Sequence, residues 1–541
     1  MTIMQPQALI KHPLIVKVRE NWILVVVCAA FCALWLPHVF IINDSINFAM
    51  AFEVDPGGML DSVMRHLSSY NMGNGYFSRY YGWSFFFIVF WILKPTVLLL
   101  RALHLYSDSL LLCLIRFVNF SICMASVVAL YLFMKRLFKN VYYAALGCFF
   151  FFVPVYLLQA DVPWTVTGSM ENFFYFVHPE PTGFLFVILS LWMLEVFKDS
   201  TNTDKSERLF FTGVVFMALS CYAKQPFFFV SVPIYLLYVK QYAHIKGLQL
   251  RNYVLSKQCL LLFFKTILLC ALMFYIIHPY AFLQPKAFLK NQLSLVSVFG
   301  SGAMTLSVIQ AWKAYIHIIW KNLFLLASVL ITFLNILLLI RRRNKKEKQD
   351  GFFLTLSVSS IVILSILITN ARYFILVHYL SPVIVFFIVA DIFLIRELST
   401  LNKQWLRNVA LVAVSCILAL SFMLGGQQVI RYSLIRLHYK DSNFYRVYEY
   451  VKNSIPNGSK VAVSHTVAIP PEKELKVFEW WQEDISKIGD FNPDYLIYQK
   501  NFNVNGVLIK EANAFNAYVS KQGYSEIITL EDISVFKRKD Y

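Results

Sequence analysis

The sequence predicts an α-helical polytopic membrane protein of about 11–13 membrane helices that ends in a small α/β domain. Three observations predict this class. Of the 541 residues, 58% are hydrophobic and only 15% are charged, a composition that soluble globular proteins do not have. Apolar runs long enough to cross a bilayer recur along most of the chain, and from Tyr445 the composition becomes that of a soluble domain.

The net charge of +18 does not indicate nucleic-acid binding. The basic residues cluster in short loops between apolar runs, as in cytoplasmic loops that face anionic headgroups. Most of the 9 cysteines lie inside apolar runs, without a CxxC pair or a metal-type Cys/His spacing. We therefore expect buried thiols, no nucleic-acid partner and no metal cofactor, although a divalent cation is not excluded.

The first membrane span is predicted from Trp22 to Ile42. It is too long for a signal-peptide core and lacks a small-residue cleavage site, so we expect it to be retained. Basic residues before it, Lys11, Lys17 and Arg19, place the N-terminus in the cytoplasm. Residues 43–80 then form an outer loop.

Topological parity makes the next segment unusual. Two apolar stretches, 82–103 and 110–134, precede the basic run 135–139, which should be cytoplasmic. If both stretches crossed, that run would lie outside. We therefore predict that 82–103 is an interfacial or re-entrant helix, with Lys94 and Pro95 near its middle.

Further spans are predicted at about 141–159, 182–197, 208–223, 226–240, 259–279, 313–340, 352–370, 375–396 and 407–425. The basic run 341–346 fixes one loop in the cytoplasm. Alternation then places loops 160–181, 280–312 and 371–375 outside. The predicted domains are a transmembrane catalytic domain, 1–425, and an extracytoplasmic α/β domain, 426–541.

Within the C-terminal domain the pattern predicts a helix over 445–455 and strands over 460–463 and 493–498. A second helix is predicted over 512–522, followed by a hairpin whose strands are 527–530 and 534–536. We identify no catalytic motif in this domain.

An acidic segment directly follows the first span and ends in Asp55-Pro56-Gly57-Gly58-Met59-Leu60-Asp61. Carboxylates at a membrane surface are costly to desolvate, and one held at a helix N-terminus could accept a proton from a hydroxyl. Asp55 is our candidate base, with Asp44 and Asp61 as rivals. The structural alternative is a helix cap or a solvated loop acid.

A second candidate group is His178-Pro179-Glu180-Pro181, at the outer end of a span. Glu180 would face the same compartment as Asp55, although an acid that complements the helix dipole explains it equally well. A third group consists of cations near predicted outer membrane ends that could hold a phosphate: Lys94, Lys224, Arg372 and His378. For each one alone, snorkelling to the interface is the simpler explanation.

Seven stretches together resemble a known family: 54–58, 79–86, 114–138, 177–183, 213–226, 378–382 and 493–497. In this order they are similar to GT-C fold polyprenyl-phosphate-sugar glycosyltransferases of the protein O-mannosyltransferase and aminoarabinose-transferase kind. Three positions depart from the family pattern. Pro56 follows Asp55 where the family has Asp-Glu, Glu180 replaces an Asp, and His378 replaces an Arg.

The resemblance implies a GT-C fold and an undecaprenyl- or dolichyl-phosphate sugar as donor. It implies a lipid, glycan or protein acceptor at the outer, periplasmic or extracellular, face of the cell membrane. Asp55 would be the general base of a single inverting displacement, with Glu180 as the second catalytic carboxylate. The implied substrate-binding residues are Tyr81, Asp61, His178, Lys94, Lys224, Arg372 and His378. No metal is implied.

Two other functions remain open. An O-antigen polymerase or ligase would rely on arginines and a histidine in a large outer loop, but 280–312 contains no Arg. A lipid or sugar transporter would place charged residues at mid-membrane depth, where Asp391 and Lys265 are the candidates.

Overall fold

The computed structural model describes residues 13–40, 56–69, 78, 82–152, 179–200, 203–300, 307–321, 323–342, 350–370 and 377–405. It also describes scattered positions between 407 and 423, and residues 438–539 except 465–466, 468, 471–472, 481–485, 500–514 and 531–532. The described chain is mainly helical, with one small sheet near the C-terminus. This confirms the predicted class of a helical protein with a C-terminal α/β region.

The helices before the sheet follow one another in chain order. They are α1 (Pro13–Trp35), α2 (Pro56–Ser69), α3 (Trp83–Ala102), α4 (Asp108–Phe138), α5 (Val141–Phe152), α6 (Glu180–Lys198), α7 (Thr203–Ala223), α8 (Phe227–Ile245), α9 (Leu250–Val254), α10 (Lys257–Ile277), α11 (Tyr280–Leu283), α12 (Pro285–Gly300), α13 (Val308–Lys321), α14 (Leu323–Arg342), α15 (Asp350–Asn370) and α16 (Ile384–Ser399). Short 3₁₀ helices span Leu36–Val39 and Val377–Val383.

Six of the described helices are long and apolar enough to cross a membrane: α3, α4, α6, α10, α14 and α15. The window that qualifies α10 is only 17% buried. Large apolar side chains on this helix, such as Phe264 and Leu268, are exposed, as expected where lipid replaces water. These helices support a multi-pass membrane protein.

One end of the bundle carries a network of charged residues, which we call the basic end. Arg136 Nη2 lies 2.5 Å from Asp199 Oδ2 and joins the C-terminal ends of α4 and α6. Arg342 at the end of α14 pairs with Glu397 in α16. The neighbouring Arg396 guanidinium lies 5.8 Å from the ring of Phe138 in α4, so these helix ends share one face.

The opposite end, which we call the site end, holds the N-terminus of α6 and the C-terminus of α7. The Gly82 N–H donates to the Ala223 carbonyl at 3.0 Å, so α3 starts there. Because α4 and α6 meet at their C-terminal ends, α4 begins toward the site end. Both ends of α3 therefore lie toward the site end, although its length and composition also suit a membrane span. Its interfacial or re-entrant placement stays a prediction.

One segment contains helices that the sequence analysis did not predict. The outer loop predicted at 280–312 contains α11, α12 and the start of α13. The span predicted at 313–340 is covered by α13 and α14, and residue 322 between them lies outside the described residues.

The C-terminal region forms a five-stranded sheet of order β2-β1-β3-β5-β4. The strands are β1 (Lys460–Ser464), β2 (Lys476–Trp480), β3 (Tyr495–Gln499), β4 (Tyr524–Thr529) and β5 (Ile533–Arg538). β1 is parallel to β2 and β3, and β5 pairs antiparallel with β3 and β4. Helix α17 (Asn443–Ser454) precedes the sheet, α18 (Ser486–Phe491) precedes β3, and residues 515–521 are helical.

This confirms the predicted strands at 460–463 and 493–498, the predicted helix at 445–455 and the closing hairpin. Strand β2 was not predicted, because its polar ends hide a short alternating pattern.

The C-terminal domain packs on the site end. One continuous buried cluster contains Leu60 and Val63 of α2, Phe85 of α3, and Val461 and Ile497 of the sheet. A domain that shares a core with α2 and α3 lies over the same end of the bundle as Gly82.

Candidate functional site

Glu180 opens α6 at the site end. Pro179 and Pro181 flank it, and proline in a first helical turn fixes the backbone angle without losing a hydrogen bond. The N-terminus of a helix also favours a negative charge. Glu180 is nevertheless fully buried, so the sequence places a carboxylate where water cannot solvate it.

Lys224 supplies the opposite charge. It lies in the turn between α7 and α8, and its Nζ contacts Glu180 Oε1. The side chains are only 11% (Lys224) and 1% (Glu180) exposed. Desolvating both groups costs several kcal/mol each, and the contact between them offsets part of that cost. The sequence proposed both residues as site residues, and the structure brings them together.

Close helix packing holds this ion pair. Gly183, one turn into α6, faces the ring of Phe227 at the start of α8, and any Cβ at position 183 would overlap that ring. The two turns that carry Glu180 and Lys224 can approach because position 183 has no side chain.

The start of α3 lies against the same group. Gly82 has a φ of 79°, in the left-handed region, and a Cβ there would lie 3.5 Å from Pro179. Ser84 Oγ donates to the Leu219 carbonyl at 2.9 Å. Together with the Gly82–Ala223 hydrogen bond, these contacts fix the start of α3 against the segments that carry Glu180 and Lys224.

A cluster of rings continues from Trp83. We call it the imidazole cluster and define it as His66, Trp83, Phe274, His278 and Phe288. The His278 ring centroid lies 5.1 Å from Trp83, 5.5 Å from Phe274 and 5.4 Å from Phe288.

Both histidines of this cluster are buried. Burial, and then the neighbouring His278, lower the pKa of His66 to about 3. Burial lowers the pKa of His278 to about 4. Both rings are therefore neutral at physiological pH, and each offers one donor and one acceptor nitrogen.

The sequence analysis did not identify either histidine as a site residue. One signal was available, because His278-Pro279 follows an apolar span and repeats the His178-Pro179 dipeptide at another span end. His66 gave no comparable signal. It becomes notable only because the fold brings it close enough to His278 for the two to interact electrostatically.

Most of the other predicted site residues cannot be placed. Asp44, Asp55, Tyr81, His178 and Arg372 lie outside the described residues. The structure places Asp61 in α2 and His378 in a 3₁₀ helix, but their side chains are not described. Their roles stay predictions.

Lys94 has a partner within the protein. Its Nζ donates to the Leu67 carbonyl in the last turn of α2, where a cation complements the helix dipole. This contact holds α2 against α3, and binding of a substrate by Lys94 stays a prediction.

The two charged residues considered for a transporter also have protein partners. Lys265 Nζ lies 2.8 Å from Glu207 Oε1, and Asp391 accepts a hydrogen bond from Ser328 Oγ at 2.7 Å. These contacts link neighbouring helices, α10 to α7 and α16 to α14. In the part of the chain that the structure describes, no three His, Cys, Asp or Glu side chains are grouped so as to hold a metal ion.

No protein-family model and no curated protein matches this sequence. One solved structure that is similar to this chain is that of an oligosaccharyltransferase of Archaeoglobus fulgidus, crystallised with zinc and sulfate. The TM-score is 0.48 and the sequence identity 10%, over 93% of this chain and 71% of the other. A likeness at this level assigns neither a family nor a reaction.

Proposed function

We propose that this protein is a membrane glycosyltransferase that moves a sugar from a polyprenyl-phosphate donor to an acceptor hydroxyl at the site end of the bundle. The observation that carries the proposal is the buried Glu180–Lys224 ion pair at a helix end. A charged pair that is expensive to bury is more typical of a reaction site than of packing.

The proposed chemistry is a single displacement. A carboxylate of the acidic segment, Asp55 or its rivals Asp44 and Asp61, takes the proton of the acceptor hydroxyl. The acceptor oxygen then bonds to the anomeric carbon as the bond from that carbon to the phosphate oxygen breaks. The polyprenyl phosphate leaves with the electron pair, and a fixed cation stabilises its charge.

Lys224 is the described residue best suited to be that cation. Glu180 keeps its ammonium charged and oriented, which makes Glu180 a positioning residue in this proposal. The remaining predicted ligands of the phosphate and sugar are Tyr81, His178, Arg372 and His378. No metal ion is required by this scheme, because the charge of the leaving group is met by side chains.

The site end would face the periplasm or the cell exterior, and the basic end the cytoplasm, since basic residues favour the cytoplasmic side. The C-terminal domain shares a core with α2 and α3, so it is placed to recruit or shield a lipid, glycan or protein acceptor. We propose the cell membrane as the location.

The test uses purified full-length protein, radiolabelled polyprenyl-phosphate sugars and a crude envelope fraction as acceptor. Wild type is compared with Asp55→Asn and Glu180→Gln, and with Glu474→Gln as a control at an exposed carboxylate of the C-terminal domain. We expect transfer by wild type and Glu474→Gln. We expect a loss of about 100-fold or more in Asp55→Asn and a smaller loss in Glu180→Gln.

An active Asp55→Asn enzyme would move the base to Asp44 or Asp61. Absence of transfer from every donor by folded wild-type protein would reject the glycosyltransferase proposal. Extension of a glycan by many repeat units would instead favour a polymerase.

A further inference from the structure

His278 is a polar side chain whose environment does not satisfy it. It follows the last residue of α10 and is fully buried. Within the described part of the chain, neither its Nδ1 nor its Nε2 has a hydrogen-bond partner. Its backbone N–H is satisfied, since it donates to the Phe274 carbonyl at 2.7 Å. Among the described residues, the two imidazole nitrogens therefore remain without a hydrogen-bond partner.

Trp83 presents a second unused group in the same place. It is 7% exposed, and its indole N–H likewise finds no acceptor among the described residues. The centroids of the Trp83 and His278 rings are 5.1 Å apart at an interplanar angle of 62°. Two rings that each carry an unused polar group are therefore in contact.

Packing does not explain an imidazole here. Nearly all buried polar groups are hydrogen-bonded, and one that is not loses the hydration it had in the unfolded chain. The rings around His278 are Trp83, Phe274, Phe288 and Tyr280, the last at 5.9 Å. A phenylalanine would suit this surrounding better, so the retained ring nitrogens indicate a ligand.

The chemistry of the cluster matches a sugar. A neutral imidazole offers one donor and one acceptor, and the indole offers a donor. A sugar hydroxyl both donates and accepts, while aromatic faces pack against the apolar C–H face of a pyranose. Gly82, the neighbour of Trp83, lies against Pro179, so the start of α3 adjoins the segment that carries Glu180.

We propose that His278 and Trp83 form a subsite that binds a hydroxyl group of the sugar ring handled by this protein. The proposal rests on the glycosyltransferase function and adds a specificity-determining group to it. The sugar is that of the lipid donor or that of a glycan acceptor, and the experiment separates the two.

The experiment measures equilibrium binding to the full-length protein in detergent. The donor probes are undecaprenyl phosphate, and undecaprenyl phosphate that carries glucose or mannose. The acceptor probes are methyl glucoside and methyl mannoside. The variants are His278→Phe, which removes both nitrogens, and His278→Asn, which keeps one donor and one acceptor. His244→Phe, an exposed histidine at the end of α8, is the control.

We expect wild type and His244→Phe to bind one of the glycosylated lipids at least tenfold more tightly than the bare lipid. His278→Phe should lose that preference, bind bare lipid phosphate as wild type does and melt at the same or a higher temperature. His278→Asn should recover part of the preference. The same pattern with a methyl glycoside in place of the lipid sugar would assign the hydroxyl to the acceptor.

An unchanged sugar preference in His278→Phe would overturn the subsite and leave the proposed function intact. Wild-type protein that binds neither the lipids nor the glycosides would overturn both. A His278→Phe variant that loses bare lipid phosphate together with sugar, at an unchanged melting temperature, would also overturn the subsite, since the effect would not be on the sugar.

Discussion

The Glu180–Lys224 pair combines two side chains that would each be unstable alone at this position. Glu180 is 1% exposed and Lys224 is 11% exposed. Because water is excluded from this position, removing one partner leaves a buried charge without its counter-charge. This costs more folding free energy than removing both partners. A double-mutant cycle can separate this structural role from the chemical one.

We expect Glu180→Gln and Lys224→Met each to lower the free energy of unfolding by about 3–5 kcal/mol. The double variant should regain part of that loss, because no unpaired charge is then buried. Thermal unfolding in detergent measures the stability, and label transfer measures the activity. Recovery of stability without recovery of activity would support a functional cation. Simple additivity of the two losses would contradict the coupling.

The imidazole cluster predicts a pH dependence of stability. The folded-state pKa of His278 is lowered to about 4, against about 6.5 in the unfolded chain. Between these values the unfolded state binds more protons, so stability falls as pH decreases from 6.5 toward 4. His66 on α2 faces the same cluster, and its lowered pKa acts in the same direction.

From pH 7 to pH 5, His278 alone should account for a loss of about 2 kcal/mol. His278→Phe should remove this share and give a flatter profile of melting temperature against pH, while the exposed-site control His244→Phe should keep the wild-type slope. A His278→Phe profile parallel to that of wild type would show that His278 does not titrate as its burial predicts.

At the residue scale, sequence analysis identified Glu180 and Lys224 but not their contact. The residues are 44 positions apart. No sequence pattern between them predicts that the N-terminal ends of α6 and α8 come into contact. His66 and His278 were missed for the same reason. Their significance lies in their burial and in their mutual interaction, which arise only in the folded chain.

At the scale of elements, apolar periodicity and charge placed most helices within a few residues of their observed ends. They did not predict the helices within the loop 280–312, which contains α11, α12 and the start of α13. Hydropathy detects apolar length but not the direction of a surface helix.

The contact between α6 and α8 depends on Gly183. A Cβ at this position would overlap the ring of Phe227, which is fully buried and held edge-on by Phe184. We expect Gly183→Ala to lower stability by about 1–3 kcal/mol and to reduce activity further by separating Glu180 from Lys224. Melting temperature and transfer rate measure the two effects.

Gly147→Ala in α5 is the matched control. Its Cβ would approach the terminal methyl of Met134 at 2.8 Å, a flexible group that can move aside at low cost. We expect a smaller loss of stability and no separate loss of activity. Equal effects of the two substitutions would mean that α6 and α8 tolerate separation.

At the scale of the whole molecule, charge and hydrophobic packing give the same orientation. The basic end holds Arg136, Arg342 and Arg396, and the C-terminal domain shares the buried cluster of α2 and α3 at the other end. From the positive-inside tendency we expect the C-terminal domain to lie outside the cytoplasm. Sequence analysis predicted this arrangement from loop charges, whereas the shared core with α2 and α3 could not be predicted, since it joins residues about 400 positions apart.

Cysteine labelling tests the orientation. In a background without the native cysteines, Lys476→Cys places a thiol at an exposed position of the sheet, and Asp199→Cys places one at the basic end, where the Asp199 side chain is 74% exposed. The Arg136–Asp199 pair is exposed, so its loss should cost less than about 1 kcal/mol.

With a membrane-impermeant maleimide on intact cells, we expect labelling of Lys476→Cys alone, and of both variants after permeabilisation. Labelling of Asp199→Cys alone on intact cells would invert the orientation and place the site end in the cytoplasm. Labelling of both on intact cells would mean that the two ends do not lie on opposite sides of a membrane.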